Sequence, residues 1–309
     1  MLHVPVLLAE TVARLVTAPG GWYVDATAGA GGHAAAVLAA AGLDARLLAL
    51  DRDGDALELA RAALAPFGDR AILERANFAD LAEVAARHGV RDVRGILLDL
   101  GVSSMQLDRP ERGFSFQHDQ PLDMRMDDRQ ELTAARLLQT LPEAELADVL
   151  RRYGEERMAR RIAKQVAQAR ARGETPATTK QLADLVARAK GGRRGHAHPA
   201  TQTFQALRIA VNGELDALEK ALPAALDLLA PGGRLAVISF HSLEDRMVKQ
   251  FMVAHEGRVE ALAKGGTRWV GQLPRARRVD RKALAAGAEE TARNPRARSA
   301  KLRVLERMA

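Results

Sequence analysis

A chain of 309 residues, 47% hydrophobic and 28% charged, has the balance of a globular protein of about two domains, which excludes wholesale disorder. The absence of cysteine excludes disulfides, thiolate metal sites and cysteine nucleophiles. No uncharged apolar run reaches the ~18 residues of a membrane span, and residues 1–10 lack a basic n-region and a signal core, so a cytoplasmic protein with no membrane partner is expected.

Four apolar runs, 22–26, 46–51, 71–75 and 95–100, begin 24, 25 and 24 residues apart. That span holds one strand and one crossover helix, and helical patterns at 34–41, 55–64 and 80–88 fill the gaps. Repeated units of this kind build a parallel sheet. The next strand, 234–240, begins 139 residues after the fourth, so the rhythm is broken by an insert. Its patterns are helical, at 143–153, 155–172 and 180–189. Thr178 and Gln181 have capping-box spacing. Met158, Ile162, Val166 and Ala169 form an apolar stripe with Arg157, Arg160, Arg161 and Lys164 around it. The 191–195 segment, with Arg193 and Arg194, reads as a flexible basic loop. A helical pattern over 203–229 is interrupted at Pro223, and a last strand, 301–306, closes the sheet. The expected fold is α/β and Rossmann-like, with an all-helical domain inserted between strands four and five. Residues 1–117 and 206–309 form the sheet domain; residues 118–205 form the insert.

The formal charge of +7 is uneven: residues 257–309 hold 14 Lys/Arg and 5 Asp/Glu, a net of +9, which leaves −2 for the rest. Such an excess suits a polyanion, typically nucleic acid, or a solvated tail.

The first βα turn carries Gly29, Gly31 and Gly32, followed by His33. Glycines there let the backbone turn sharply and approach a ligand. Asp51 ends strand two, 22 residues after Gly29, where a carboxylate can accept both ribose hydroxyls of a nucleoside. The glycine spacing also satisfies a dinucleotide pattern, so a nicotinamide-dependent oxidoreductase is an alternative. Asp25 ends strand one and Asp99 ends strand four. Carboxylates at these ends disfavour a pyrophosphate and favour the cationic end of S-adenosylmethionine. Asn77, Phe78 and Asp80 follow strand three, where an aromatic face and a carboxylate suit adenine.

Further motifs make the chain resemble a known family. They are Asp99-Leu100-Gly101-Val102-Ser103-Ser104-Met105-Gln106-Leu107-Asp108, Glu111-Arg112-Gly113-Phe114-Ser115-Phe116, and Pro121-Leu122-Asp123-Met124-Arg125-Met126-Asp127. Tyr153-Gly154-Glu155-Glu156-Arg157, 198–208, 239–246 and 294–299 follow in order. The chain resembles the RsmH (MraW) family of ribosomal RNA small subunit methyltransferases along essentially its whole length. The resemblance implies a class I methyltransferase fold, S-adenosylmethionine as donor, and methylation of the N4 amine of one cytidine in the 16S rRNA decoding centre, with the small ribosomal subunit as partner. It implies cofactor contacts at Gly31, Gly32, His33, Asp51, Phe78, Asp99 and Gln106. An assembled particle is the expected substrate, and a homodimer is compatible with the sequence. A non-catalytic RNA-binding assembly factor keeping this fold is the alternative from another class.

The reaction needs in-line positioning and electrostatics more than covalent chemistry. Asp99 stands where amino methyltransferases carry an acid-Pro-Pro-aromatic motif, but the residues here are Asp-Leu-Gly-Val, so it is expected chiefly to hold the cofactor. Phe240 and His241 follow strand five, where a flat ring can stack on an extruded cytosine; a buried Phe and a backbone-satisfied His is the plainer reading. His118, Asp119, Asp123, Asp127 and Asp128 crowd one loop, but methyl transfer needs no metal and none is expected. The same loop, with Phe114, Phe116, Met124 and Arg125, is expected to form a lid or substrate wall. Arg208 and the Arg157 group, and Arg275, Arg277, Arg278, Arg281, Arg293, Arg296 and Arg298 near the C-terminus, are candidates to meet phosphates.

Overall fold

The computed structural model describes residues 5–192, 198–262, 265–270 and 274–309; Arg193 and Arg194 of the expected basic loop lie outside them. The chain divides into two compact units, residues 1–101 with 215–309, and residues 102–214. In chain order the first unit begins with α1 (Leu8–Leu15), β1 (Gly21–Asp25), α2 (Gly32–Ala40), β2 (Ala45–Asp51), α3 (Gly54–Leu64), β3 (Ala71–Arg75), α4 (Leu81–Arg87) and β4 (Val93–Asp99). The second unit holds α5 (Ser104–Asp108), α6 (Ala134–Thr140), α7 (Glu143–Gly154), α8 (Ala159–Ala171), α9 (Thr179–Ala189) and α10 (Thr201–Asn212). Then come α11 (Glu214–Leu228), β5 (Leu229–Ser239), α12 (Ser242–Glu256), the β6 (Arg258–Ala261) and β7 (Thr267–Val270) ribbon, β8 (Ala276–Arg278), β9 (Leu284–Ala285), α13 (Ala288–Arg293) and β10 (Lys301–Arg307).

The main sheet runs β3-β2-β1-β4-β5-β10-β8, with β9 also on β10. The first five of these strands are parallel; β10 is antiparallel to β5, with Lys301 opposite Ser239. This is a Rossmann-like sheet. Strand order reverses between β1 and β4, the place where open α/β sheets bind ligands. Both faces are covered, which is why the strands read as continuous apolar runs. Val24, Leu48, Leu50, Ile96, Leu98 and Val237 face one core with α4, α11 and α12. Tyr23, Leu47, Ala49, Leu97, Ala236 and Ile238 face the other, with α1, α2 and α3.

The long helical pattern after 203 breaks at Gly213, not at Pro223. Gly213 takes φ +57° and its N–H bonds Ile209 O, closing α10. Pro223 lies inside α11, where Ala221, Leu222, Ala225 and Leu226 are fully buried. That burial offsets the ~3 kcal/mol a proline costs inside a helix. The helix expected from 155 begins instead at Ala159, because Glu155 adopts φ +50° and ends α7. The Thr178–Gln181 capping box forms and opens α9.

The helical unit is wider than 118–205. Phe114, Leu122, Met124 and Met126 join Ile162, Val166, Leu182 and Val186 in its core, and α10 supplies Phe204, Leu207 and Val211. Phe114 and Met124 therefore serve as core of this unit rather than as a substrate wall, and Phe116 stacks on His198 at 4.4 Å and edge-on to Phe204 at 5.0 Å. The loop carboxylates are held by arginines, Asp123 by Arg125 and Asp127 by Arg129. Asn212 pins the loop. Its Oδ1 accepts the Met126 N–H at 2.8 Å and its Nδ2 donates to Met124 O at 2.7 Å, all buried. Asn212→Ala orphans both backbone groups, so chemical denaturation is expected to show a loss of roughly 2–4 kcal/mol; a cost below 1 kcal/mol would mean that water replaces the amide.

Candidate active site

The site residues of the first unit collect at the C-terminal ends of β1, β2, β4 and β5. Parallel pairing puts these ends side by side, with Asp25 opposite Ala49 and Leu97, and Asp99 opposite Ile238. Backbone bonds then tie each turn to the next strand: Ala26 N–H to Leu97 O, Ala28 N–H to Leu50 O, and Leu100 N–H to Ile238 O.

Gly31 (φ +83°) caps α2, and a Cβ on it would sit 3.0 Å from Ala60 Cα. A Cβ on Gly32 would meet Pro5 Cγ at 2.4 Å. Asp51 steers this turn: its Oδ2 accepts the Gly29 N–H at 2.8 Å and its Oδ1 accepts the Asp53 N–H at 2.9 Å. Each oxygen keeps acceptor capacity for a ribose hydroxyl. Burial pushes the Asp51 carboxyl above its usual range.

Asp25 is buried and its Oδ1 accepts the Thr27 N–H at 3.2 Å; the Thr27 side chain bonds the same carboxyl. Burial, followed by the neighbouring Asp51 charge, pushes its carboxyl up to about 7 against the lowering bonds from Thr27. Asp99 is pushed well above the usual carboxylate range, by burial first, then by Asp25 and Glu244. Its N–H donates to Thr27 Oγ1 at 2.6 Å. Its Oδ2 lies 3.5 Å from His33 Nδ1, while His33 Nε2 is 3.0 Å from Val6 O. A carbonyl only accepts, so in this contact Nε2 is the donor. Asp25 Oδ2 and Asp99 Oδ1 are buried with no hydrogen-bond partner among the described residues. Two such oxygens in one crevice are costly unless a cation or donor arrives. The residues present thus fit the cationic end of S-adenosylmethionine.

Phe78 is partly buried against the core of its unit, in a short turn capped by Asn77. Phe240 packs over Gly101, whose added Cβ would lie 3.4 Å from the ring. His241 caps α12: its Nδ1 accepts the Glu244 N–H at 3.4 Å, and its Nε2 lies 3.1 Å from Glu244 Oε1. Glu244, buried, accepts the N–H groups of Phe240 at 2.8 Å and His241 at 3.2 Å. Its signal in the sequence was the three-residue spacing from His241, a capping box with histidine in the serine position. Thr27, which joins Asp25 to Asp99, was the other residue missed. Gln106 lies in the second unit, buried, with its side-chain oxygen accepting the Ser103 N–H at 3.0 Å in a capping box that opens α5.

Residues 1–308 match the family described as MraW methylase. Relatives named Ribosomal RNA small subunit methyltransferase H include one from Symbiobacterium thermophilum, 50% identical over 99% of this chain and 96% of its own. Another, from Geotalea daltonii, is 50% identical over 99% and 98%. A solved rRNA methylase from Streptococcus thermophilus aligns with 100% of this chain and 99% of its own at 12% identity and a TM-score of 0.43, a likeness too remote to speak to chemistry. With a family match along nearly its whole length and relatives identical at half their positions, this chain belongs to the MraW methylase family.

Proposed function

We propose that this chain is an S-adenosylmethionine-dependent methyltransferase acting on the N4 amine of one cytidine in the decoding centre of 16S rRNA, in the cytoplasm. The observation that carries the reading is the pair of buried, donor-less carboxylate oxygens on Asp25 and Asp99 beside the glycine turn. A pyrophosphate would be repelled there, which disfavours a nicotinamide enzyme. When bound, S-adenosylmethionine supplies a methyl group made electrophilic by its sulfonium. In this reading Asp51 accepts the ribose hydroxyls, Gly31, Gly32 and His33 border the same turn, and Phe78 offers a ring to the adenine. The ionised carboxylates of Asp25 and Asp99 meet the cationic end, with His33 beside Asp99. Phe240 and His241 form a turn fixed by Glu244; the ring of Phe240 is the one offered to the flipped base, while His241 holds the helix and no metal is invoked.

The experiment incubates the protein with methyl-labelled donor and small subunits that lack the modification, then separates the nucleosides. Label in N4-methylcytidine of 16S rRNA is expected. No label, with the donor shown to bind, would favour a non-catalytic assembly factor. Asp99→Asn is expected to weaken donor binding roughly ten- to a hundredfold, the worth of a hydrogen bond to a charged group. Full donor affinity with lost turnover would instead put Asp99 on the target amine.

A further inference from the structure

The cations of this chain differ in where their charge goes. The arginines expected to give the C-terminal segment its grip on RNA are largely spent within the fold. Arg275 pairs with Asp227, Arg277 with Glu306, Arg278 with Glu256 and Arg293 with Glu289, at 2.5–2.9 Å. Surface arginines of the helical unit do the same, Arg136 with Glu131, Arg151 with Asp148 and Arg172 with Glu174.

One group does not. Arg157, Arg160, Arg161 and Lys164 are exposed, and among the described residues they have no hydrogen bond or ion pair. Arg160, Arg161 and Lys164, with Lys164 four and three residues on, share one face of α8, and Arg157 precedes its first turn. Ile162, Ala163 and Val166 are fully buried in the core behind it, which fixes that face outward. Residues 157–172 contain no Asp or Glu. Nearby Glu156 is withdrawn, buried and paired with Lys190 at 2.7 Å.

Stability does not account for this arrangement. Three of the cations stand at or before the first turn of α8, which has no acidic residue. Positive charge there opposes the helix dipole, and like charges three and four apart repel. A sequence selected for helix stability alone would put Asp or Glu in these positions. From Arg160 to Lys164 the row spans ~6 Å along the helix, enough for about two successive phosphates of one strand.

We propose that this face of α8 grips the phosphate backbone of the RNA substrate, a role that rests on the proposed reaction with 16S rRNA and names a surface for it. The contacts position the RNA and read no sequence.

The test compares the wild type with the full-chain variant Arg160→Gln, Arg161→Gln, Lys164→Gln, and with Arg160→Lys, Arg161→Lys. Binding to unmodified small subunits and to protein-free 16S rRNA is measured from 50 to 300 mM KCl, with methyl transfer and donor affinity alongside. The glutamine variant is expected to lower the salt slope by about 2–3 and to weaken binding on the order of a hundredfold at 0.15 M salt. KM for the particle should rise with kcat and donor affinity unchanged, and the melting temperature should hold or rise. The lysine variant should keep most of the binding. An unchanged salt slope would overturn the proposal. So would a loss on particles with none on naked rRNA, which would assign the face to an acidic ribosomal protein. Wild-type protein that binds with this slope but transfers no methyl would leave the face standing and remove the proposed reaction.

Discussion

Asp25→Asn is expected to give a protein that melts higher at pH 8 and binds S-adenosylmethionine more weakly. The sign follows from where the proton sits. The folded Asp25 carboxyl is pushed up to about 7 from an ordinary 3.8, so between those values the folded chain holds a proton that the unfolded chain has released. Stability is then fully present below about pH 4 and falls as pH rises through 7. At ~1.4 kcal/mol per unit the loss by pH 8 is about 4 kcal/mol, or about 6 °C for a chain of this length. Asparagine removes that loss and relieves Asp99, which Asp25 also pushes up. Function moves the other way. A cation needs the ionised carboxylate, so wild-type donor affinity should rise about tenfold per pH unit up to 7 and flatten above it, with a proton released on binding. Calorimetry in two buffers of different ionisation enthalpy reads that proton directly. The variant should bind with a shallower profile, and its gain in melting temperature should vanish at pH 4. A wild-type affinity flat from pH 5.5 to 8 would sink this account and the role given to Asp25.

The sheet was legible because each parallel strand is buried on both faces. Runs such as Leu47-Leu48-Ala49-Leu50 and Ile96-Leu97-Leu98 need no register to be recognised as strands, and the acids that end them mark the crevice. The glycine turn, Asp51, Asp25 and Asp99 were legible for the same reason: strand ends are fixed by the pattern. What failed depended on tertiary context. A proline pattern cannot tell that Pro223 sits on a helix flank buried enough to tolerate it, whereas Gly213 breaks the chain through a positive φ. The insert's core reaches beyond 118–205 because Phe114 and Val211 carry no local sign of where they pack, and only packing assigns both to the helical core. The C-terminal charge reads as a polyanion grip or a solvated tail, and its ion pairs were not legible: the partners of Arg275, Arg277 and Arg278 lie 48, 29 and 22 residues away. Long-range pairing of that kind leaves no local signature. Glu244 was hidden for another reason. A histidine N-cap is uncommon, so its capping box did not stand out.

Gly31→Ala is expected to cost more than Gly29→Ala, although both glycines have positive φ. The added methyl at 31 would lie 3.0 Å from Ala60 Cα and 3.1 Å from Ala63 Cβ. Those atoms belong to helix backbone and a short side chain, neither of which can swing aside, and Ala60 is fully buried. Left-handed strain of ~1–2 kcal/mol then adds to an overpacking cost of ~1–3 kcal/mol. At Gly29 the nearest atom is Thr27 O at 3.9 Å, so only the strain remains. Urea unfolding should separate the two variants by roughly 1–3 kcal/mol; equal costs would mean that α3 slides freely against α2. The damage at 31 should also reach the ligand. Moving α3 moves its cap Asp53, whose N–H is one of the two donors that hold Asp51, so donor affinity should fall although no cofactor contact has been removed. Two glycines that look equivalent in the motif thus do different work, one turning the chain and one letting two helices approach. That is why the glycine spacing alone fits a dinucleotide as well as a nucleoside, and why the buried carboxylates beside it decide between them.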